Sequence, residues 1–254
     1  MRRILLVLAA CLCMMPAGYA QRRDSVYTAS ERFQWQKLVV PVTLMGAGTI
    51  AAYSPCWKSG VDQPAKAWAA QIRGDKYIGI DDYVQFVPAA GYAVAAICGA
   101  GEHGFWEQLM TGATAYILMF GTVQAVKYAT AMQRPNGRGN TFPSGHTATA
   151  FMGAELVRLE YGPWWGLAAY AAAVPVAFLR VYNEWHWVSD LIAGAGLGIL
   201  CANAAYWLMP FERKLFGVDS AVPSRQGAPA LSAVPFCAPA PSGTCYGLSL
   251  TMAF

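Results

Sequence analysis

A chain of 254 residues is long enough for one domain and short for two. Its residues are 56% hydrophobic and only 13% charged, against about 25% charged in soluble domains, which points to lipid or to a very apolar helical bundle. The net charge of +4, with no Lys/Arg run and no basic face interleaved with aromatics, does not suggest nucleic acid, and no nucleic-acid partner is expected.

Residues 1–20 read as a signal peptide: Arg2 and Arg3, an apolar run over 4–15, and Gly18-Tyr19-Ala20 before the cleavage point. An uncleaved anchor is the competing reading. Leu8-Ala9-Ala10-Cys11 also fits a lipoprotein signal, but it comes early and the apolar run continues past it.

Five charge-free stretches follow, at 38–57, 83–101, 108–126, 161–179 and 191–211, each 19 to 21 residues long. About 20 apolar residues suffice for a helix to cross a bilayer. A sixth stretch, 139–154, is shorter and contains His146. Their Gly and small residues suit close helix packing in a membrane. The expected fold is all-α, a membrane-embedded bundle of about five to six helices with a functional pocket at one end. The expected division is a signal at 1–20, then a polar segment, an apolar helix and an interfacial region over 21–82. The helical bundle follows over 83–211, with a linker and tail over 212–254.

Residues 221–242, rich in Pro, Ala and Ser, read as a flexible linker. The last nine residues alternate apolar and small, which is strand periodicity. A strand ending in Phe254 is similar to the closing strand of outer-membrane barrels; a tail that packs on a surface or stays disordered is the equal alternative. Cys98 and Cys201 read as small buried hydrophobes; Cys237 and Cys245 are able to bridge in an oxidising compartment. Glu155 and Arg158 read as a local pair, and His103 receives no role.

Three segments carry chemistry: Lys127-x6-Arg134-Pro135, Pro143-Ser144-Gly145-His146, and Arg180-x5-His186-x3-Asp190. A phosphate monoester presents three oxygens with up to two negative charges. Arg134 and Arg180 offer planar forks and Lys127 a point charge. Ser144 suits a helix N-cap, which leaves the N–H groups of Gly145 and His146 aimed at an anion. His186 and Asp190 share a helix face, so the carboxylate orients the imidazole.

These three segments, in this order and spacing, resemble the signature of the type 2 phosphatidic acid phosphatase / vanadium haloperoxidase superfamily, in its bacterial membrane lipid phosphatase branch, over roughly 82–210. Leu179 departs from the small residue usual before the Arg. The resemblance implies that His186 is the nucleophile forming a phosphohistidine, Asp190 orients it, and His146 protonates the leaving alcohol and then activates water. Lys127, Arg134, Ser144, Gly145 and Arg180 would bind the phosphoryl oxygens. It implies a phosphorylated lipid as substrate and the membrane as partner, with no cofactor and no metal. A soluble periplasmic acid phosphatase, a haloperoxidase and a non-enzymatic membrane scaffold are the alternatives.

Arg158, Arg213 and Lys214 place the non-catalytic end in the cytoplasm, and hence the pocket in the periplasm, at the inner membrane. A cleaved signal followed by three crossings would place the pocket inside instead. Pro41, Gly46 and Gly48 interrupt the first stretch, which favours its lying along the surface or re-entering; the other way out is that residues 1–20 are not exported and the first stretch spans.

Overall fold

The computed structural model describes residues 30–218, together with the backbone of 230–240 and 243–253. The expected signal segment lies outside the described residues.

Helix α1 (Gln36–Tyr53) ends where Ser54 caps the next turn, its Oγ accepting from the Trp57 N–H at 3.3 Å. The chain there bends by 82° through helical turns at Pro55–Trp57 and Lys58–Asp62 into α2 (Gln63–Arg73). Short α3 (Asp81–Val84) and α4 (Val87–Ile97) follow. The expected span over 83–101 is therefore not one helix. Pro88 starts α4 afresh, and Gly99 and Gly101, with φ of 70° and 107°, stop it after 11 residues, roughly 16 Å of rise. Helices α5 (Phe105–Thr130), α6 (Gly145–Tyr161), α7 (Pro163–Tyr182) and α8 (Val188–Phe216) complete the bundle.

Helix α8 is the central member. A Cβ on Gly194 would stand 2.6 Å from the Ser144 carbonyl, and one on Gly196 2.6 Å from that of Pro41; on Gly198 it would collide with the Ala148 carbonyl. Backbone-to-backbone contact with α6 on one side and α1 on the other thus requires these glycines. Met152, Leu156, Leu197, Tyr206 and Met209 fill the core between them.

Contacts along α8 fix the direction of α1. Arg213 donates to Glu31 at 2.8 Å, Phe33 meets Trp207 edge-on at 5.0 Å, Gly48 lies against Ala193, and Ser189 donates to Asp62 at 3.1 Å. Helix α1 thus runs antiparallel to α8 over its whole length. The first apolar stretch traverses the bundle instead of lying across its end, because small residues on both helices let them pack tightly.

Helices α5, α7 and α8 are long and apolar enough to cross a membrane, and α1 joins them if its bent continuation counts as one span. Helices α5 and α7 turn Ile117, Phe120, Leu167, Val174 and Phe178 outward, whereas α8 is mostly enclosed. Outward apolar faces of this kind belong in hydrocarbon, and the protein is a membrane-associated helical bundle.

At the end away from Lys127, His103 sits buried between Glu160 (Nδ1 to Oε2, 2.6 Å) and Glu31 (Nε2 to Oε1, 2.8 Å). Burial alone would depress its pKa; the two carboxylates overcome this and raise it to about 9. Arg213 joins Glu31 to Glu107, and Tyr206 donates to Glu160 at 2.7 Å. Sequence reading gave His103 no part, because its partners come from distant helices. Arg158 and Glu155 do pair, at 2.6 Å, and Tyr170 and Asn203 complete the carboxylate's bonds.

The stretch read as a linker contains strand β1 (Ala230–Ala240), antiparallel to β2 (Gly243–Ala253). The alternating tail needs a partner for its backbone groups, and in a two-stranded ladder every strand is an edge that tolerates Pro235 and Pro239. Cys237 pairs with Tyr246 and Cys245 with Ala238, so the two cysteines are not ladder partners. Cys201 is buried, but Cys98 is exposed, since it follows the last turn of α4.

Candidate active site

The expected site residues gather at one end of the bundle. Lys127 projects from the last turn of α5, and its Nζ donates to the carbonyls of Asn140 (2.9 Å) and Thr141 (3.1 Å). This folds loop 131–144 back over the helix end. Within the loop a tight turn is closed by Arg134 N–H donating to the Arg138 carbonyl at 2.7 Å and Gly137 N–H to the Arg134 carbonyl at 3.0 Å. Ser144 is the N-cap of α6: its Oγ accepts from Thr147 N–H at 3.4 Å and from the Thr147 hydroxyl at 3.0 Å. Gly145 and His146 begin the helix, where N–H groups have no helical acceptor.

His186 lies in the loop before α8, and Asp190 in its first turn. The Asp190 Oδ2 faces His186 Nδ1 at 3.2 Å and accepts from Trp187 N–H at 2.9 Å and from the Thr141 hydroxyl. Thr141 also lies 3.2 Å from His186 Nδ1. With Nδ1 tied to the carboxylate, the lone pair of Nε2 is the reactive one. Burial first, then the charges of Lys127 and Arg134, outweigh Asp190 and depress the His186 pKa to about 4. The ring is therefore held in its neutral form at physiological pH.

Arg180 is buried at the end of α7. Its Nη1 donates to Asp81 Oδ2 at 2.6 Å and to Asp82 Oδ1 at 3.1 Å. The same Asp82 oxygen accepts from His146 Nε2 at 2.9 Å. Burial raises the Asp82 carboxyl, but the bonds from His146 and Arg180 prevail and lower it. Arg73 pairs with Glu184 at 2.9 Å, and Asn183 bonds Ile78 in both directions, so the segment before α3 is strapped to the loop that carries His186. The Nε groups of Arg134 and Arg180 are buried without a protein acceptor, and burial, with Arg180 nearby, pushes the Arg134 guanidinium below its ordinary value. Donors in this condition suit an incoming anion.

Sequence reading missed Asp81, Asp82, Thr141, Trp185 and Arg138. Arg134, Arg138 and Arg180 surround the Trp185 ring, with Cζ at 5.2, 5.1 and 5.4 Å from its centroid. The clustering of Trp185-His186-Trp187 was the available signal. Asp81 and Asp82 lie about a hundred residues from Arg180, and only the fold brings them together. Among the described residues no group of three or more His, Cys, Asp or Glu side chains is arranged to hold a metal.

Residues 108–214 match the family model described as the PAP2 superfamily. The chain is 39% identical over 141 residues to the lipid A 1-phosphatase of Porphyromonas gingivalis, covering 53% of this chain and 32% of that protein. The chain thus spans about a third of that relative's length. Among solved structures it resembles LpxE of Aquifex aeolicus (20% identity, TM-score 0.41, 55% of this chain and 92% of the other). It also resembles the first transmembrane PAP2-type phosphatidylglycerolphosphate phosphatase from Bacillus subtilis (22% identity, TM-score 0.46, 69% and 97%). Every residue of the three chemical segments falls inside residues 108–214, the region that matches the PAP2 superfamily model.

Proposed function

We propose that this protein is a membrane phosphatase that hydrolyses a phosphate ester or diphosphate of a lipid, without metal, through a phosphohistidine. The observation that carries the reading is His186: neutral, held at Nδ1 by Asp190, and set among Lys127, Arg134 and Arg180. In the first step His186 Nε2 forms a bond to phosphorus while the bond to the leaving oxygen breaks. His146 gives that oxygen its proton, and the lipid alcohol departs. Lys127, Arg134, Arg180, the Ser144 hydroxyl and the first N–H groups of α6, at Gly145 and His146, neutralise the equatorial oxygens. Water then loses a proton to His146 and attacks phosphorus; the P–N bond breaks and inorganic phosphate leaves. Asp82, half exposed, yields its place between Arg180 and His146 to the incoming phosphoryl oxygens.

The similarity to a lipid A 1-phosphatase supports lipid A as the first substrate to try, ahead of undecaprenyl diphosphate, phosphatidylglycerol phosphate and phosphatidic acid. Phosphate release across this panel by wild type and by His186→Ala is the test. Release from none of them, or equal release by the variant, would remove the proposal.

The pocket is assigned to the periplasmic face of the inner membrane. Arg158, Arg213 and Lys214 at the opposite end support this by the excess of basic residues in cytoplasmic loops. Because α1 traverses the bundle, the chain then enters it from the cytoplasm, and a signal cleaved after Ala20 is incompatible with this orientation. A cysteine replacing Gly137, in a background lacking native cysteines, reacts with an impermeant thiol reagent in the periplasm if the assignment holds. Labelling only after the inner membrane is opened would reverse it.

A further inference from the structure

The pocket end holds more cations than a phosphate monoester uses. In the proposed function Lys127, Arg134 and Arg180 serve the three oxygens of one phosphoryl group. Lys58 is paired with Asp62 at 3.6 Å and Lys66 donates to the Pro135 carbonyl at 2.7 Å. Arg138 remains. It is exposed, and the turn that bonds its carbonyl to Arg134 N–H at 2.7 Å holds it beside Arg134. Asn136 Oδ1, accepting from Arg138 N–H at 3.1 Å, tightens the same turn. The Arg138 guanidinium stands 5.1 Å from the centroid of Trp185, on the ring shared by Arg134 and Arg180.

One guanidinium on an indole is favourable; three around a single ring repel one another. Arg180 is relieved by Asp81 and Asp82. Among the described residues no carboxylate pairs with Arg138 or Arg134. The rim of the pocket around Trp185 is thus short of negative charge. A diphosphate brings a second phosphoryl group and up to one charge more than a monoester, at the distance of a single bridging oxygen.

We propose that Arg138 is a specificity residue that binds the inner phosphoryl group of a lipid diphosphate while the terminal group lies against His186. The inference rests on the phosphatase reading and adds the headgroup it prefers. His186 Nε2 bonds to the terminal phosphorus, the bridging P–O bond breaks, and the lipid monophosphate leaves with the electron pair. Arg138 stabilises the charge that this leaving group gains, and His146 supplies its proton.

The test uses the full chain in detergent micelles and two probes with one anchor, farnesyl diphosphate and farnesyl monophosphate. In Arg138→Ala the ratio of kcat/KM for diphosphate to that for monophosphate falls about tenfold or more, the effect of one charge-assisted hydrogen bond. Arg138→Lys, which keeps the charge and loses the fork, falls between. Equal losses on both probes, or an unchanged ratio, would overturn the role of Arg138 and leave the phosphatase intact. A wild-type protein inactive on both probes and on the whole lipid panel, or a His186→Ala variant as active as wild type, would overturn the phosphatase reading beneath it; inactivity on farnesyl diphosphate with release from the monophosphates would overturn the diphosphate preference alone.

Discussion

The Ser144 N–H donates to the carbonyl of Asp190 at 3.0 Å, so the first residues of α6 and α8 are bonded to each other through their backbones. The helix start proposed to bind the anion and the carboxylate that faces His186 are thereby held in one register. One turn along α8, Gly194 leaves no room for a Cβ against the Ser144 carbonyl. Gly194→Ala must separate the two helix starts. A loss of about 1–3 kcal/mol in stability is expected from overpacking, together with a fall in kcat larger than any change in the amount of folded protein. Thermal melts and steady-state rates on the same preparation check this; a normal kcat would show that the register is not needed.

Substitutions within the nucleophile's own network separate its parts. His186→Ala abolishes turnover. Asp190→Asn keeps the shape but costs about 10²- to 10⁴-fold in kcat, as for orienting carboxylates elsewhere. Thr141→Val removes one donor from a carboxylate whose other oxygen, Oδ1, is already buried without a partner. A loss of about tenfold follows from one charged hydrogen bond. Rapid-quench detection of the phosphoenzyme with labelled substrate should find none in His186→Ala. Its persistence there would move the nucleophile elsewhere.

The chain has only three histidines, which makes the protonation scheme directly observable. Imidazole resonances of the solubilised protein should include one titrating near pH 9, for His103, and one near pH 4, for His186. The signs for stability are opposite. His103 binds its proton more tightly when folded, so its contribution is complete below pH 6.5 and is lost as pH rises through 9. His186 binds its proton less tightly when folded, so stability is lost as pH falls from 6.5 toward 4. Each window is worth about 3 kcal/mol at 1.36 kcal/mol per pH unit. Unfolding measured across pH should peak between the two windows, and His103→Gln should flatten the alkaline side alone. A flat alkaline limb in the wild type would contradict the raised value.

If Lys127, Arg134 and Arg180 neutralise the phosphate as proposed, the site has no need of a divalent ion. Activity should survive EDTA unchanged, and vanadate, which adopts the pentacoordinate geometry, should inhibit at low concentration. Inactivation by EDTA with recovery on adding magnesium would require a different mechanism.

Much of this was legible in the chain because it is local. The spacing of His186 and Asp190, Ser144 before a helix and the apolar lengths of α5, α7 and α8 are all short-range features. Other elements depend on partners that sequence does not mark. Residues 83–101 look like a span by composition, yet Pro88 and two left-handed glycines make α4 short. The carboxylates of Asp81 and Asp82 read as a helix start, and only the fold carries them to Arg180. The tail's alternation announced a strand, but its mate lay in a Pro-rich stretch that reads as linker. His103 gave no sign of its role because Glu31 and Glu160 reach it from far along the chain.

The glycines at 194, 196 and 198 also say where this architecture is free to diverge. A helix that touches its neighbours backbone to backbone on two sides admits no larger side chain at those points, so inheritance must pass it on nearly unaltered. A change of ligand preference would have to be written at the rim, in the segment from α2 to α3 and in loop 131–144, where a changed side chain meets solvent before it meets α8.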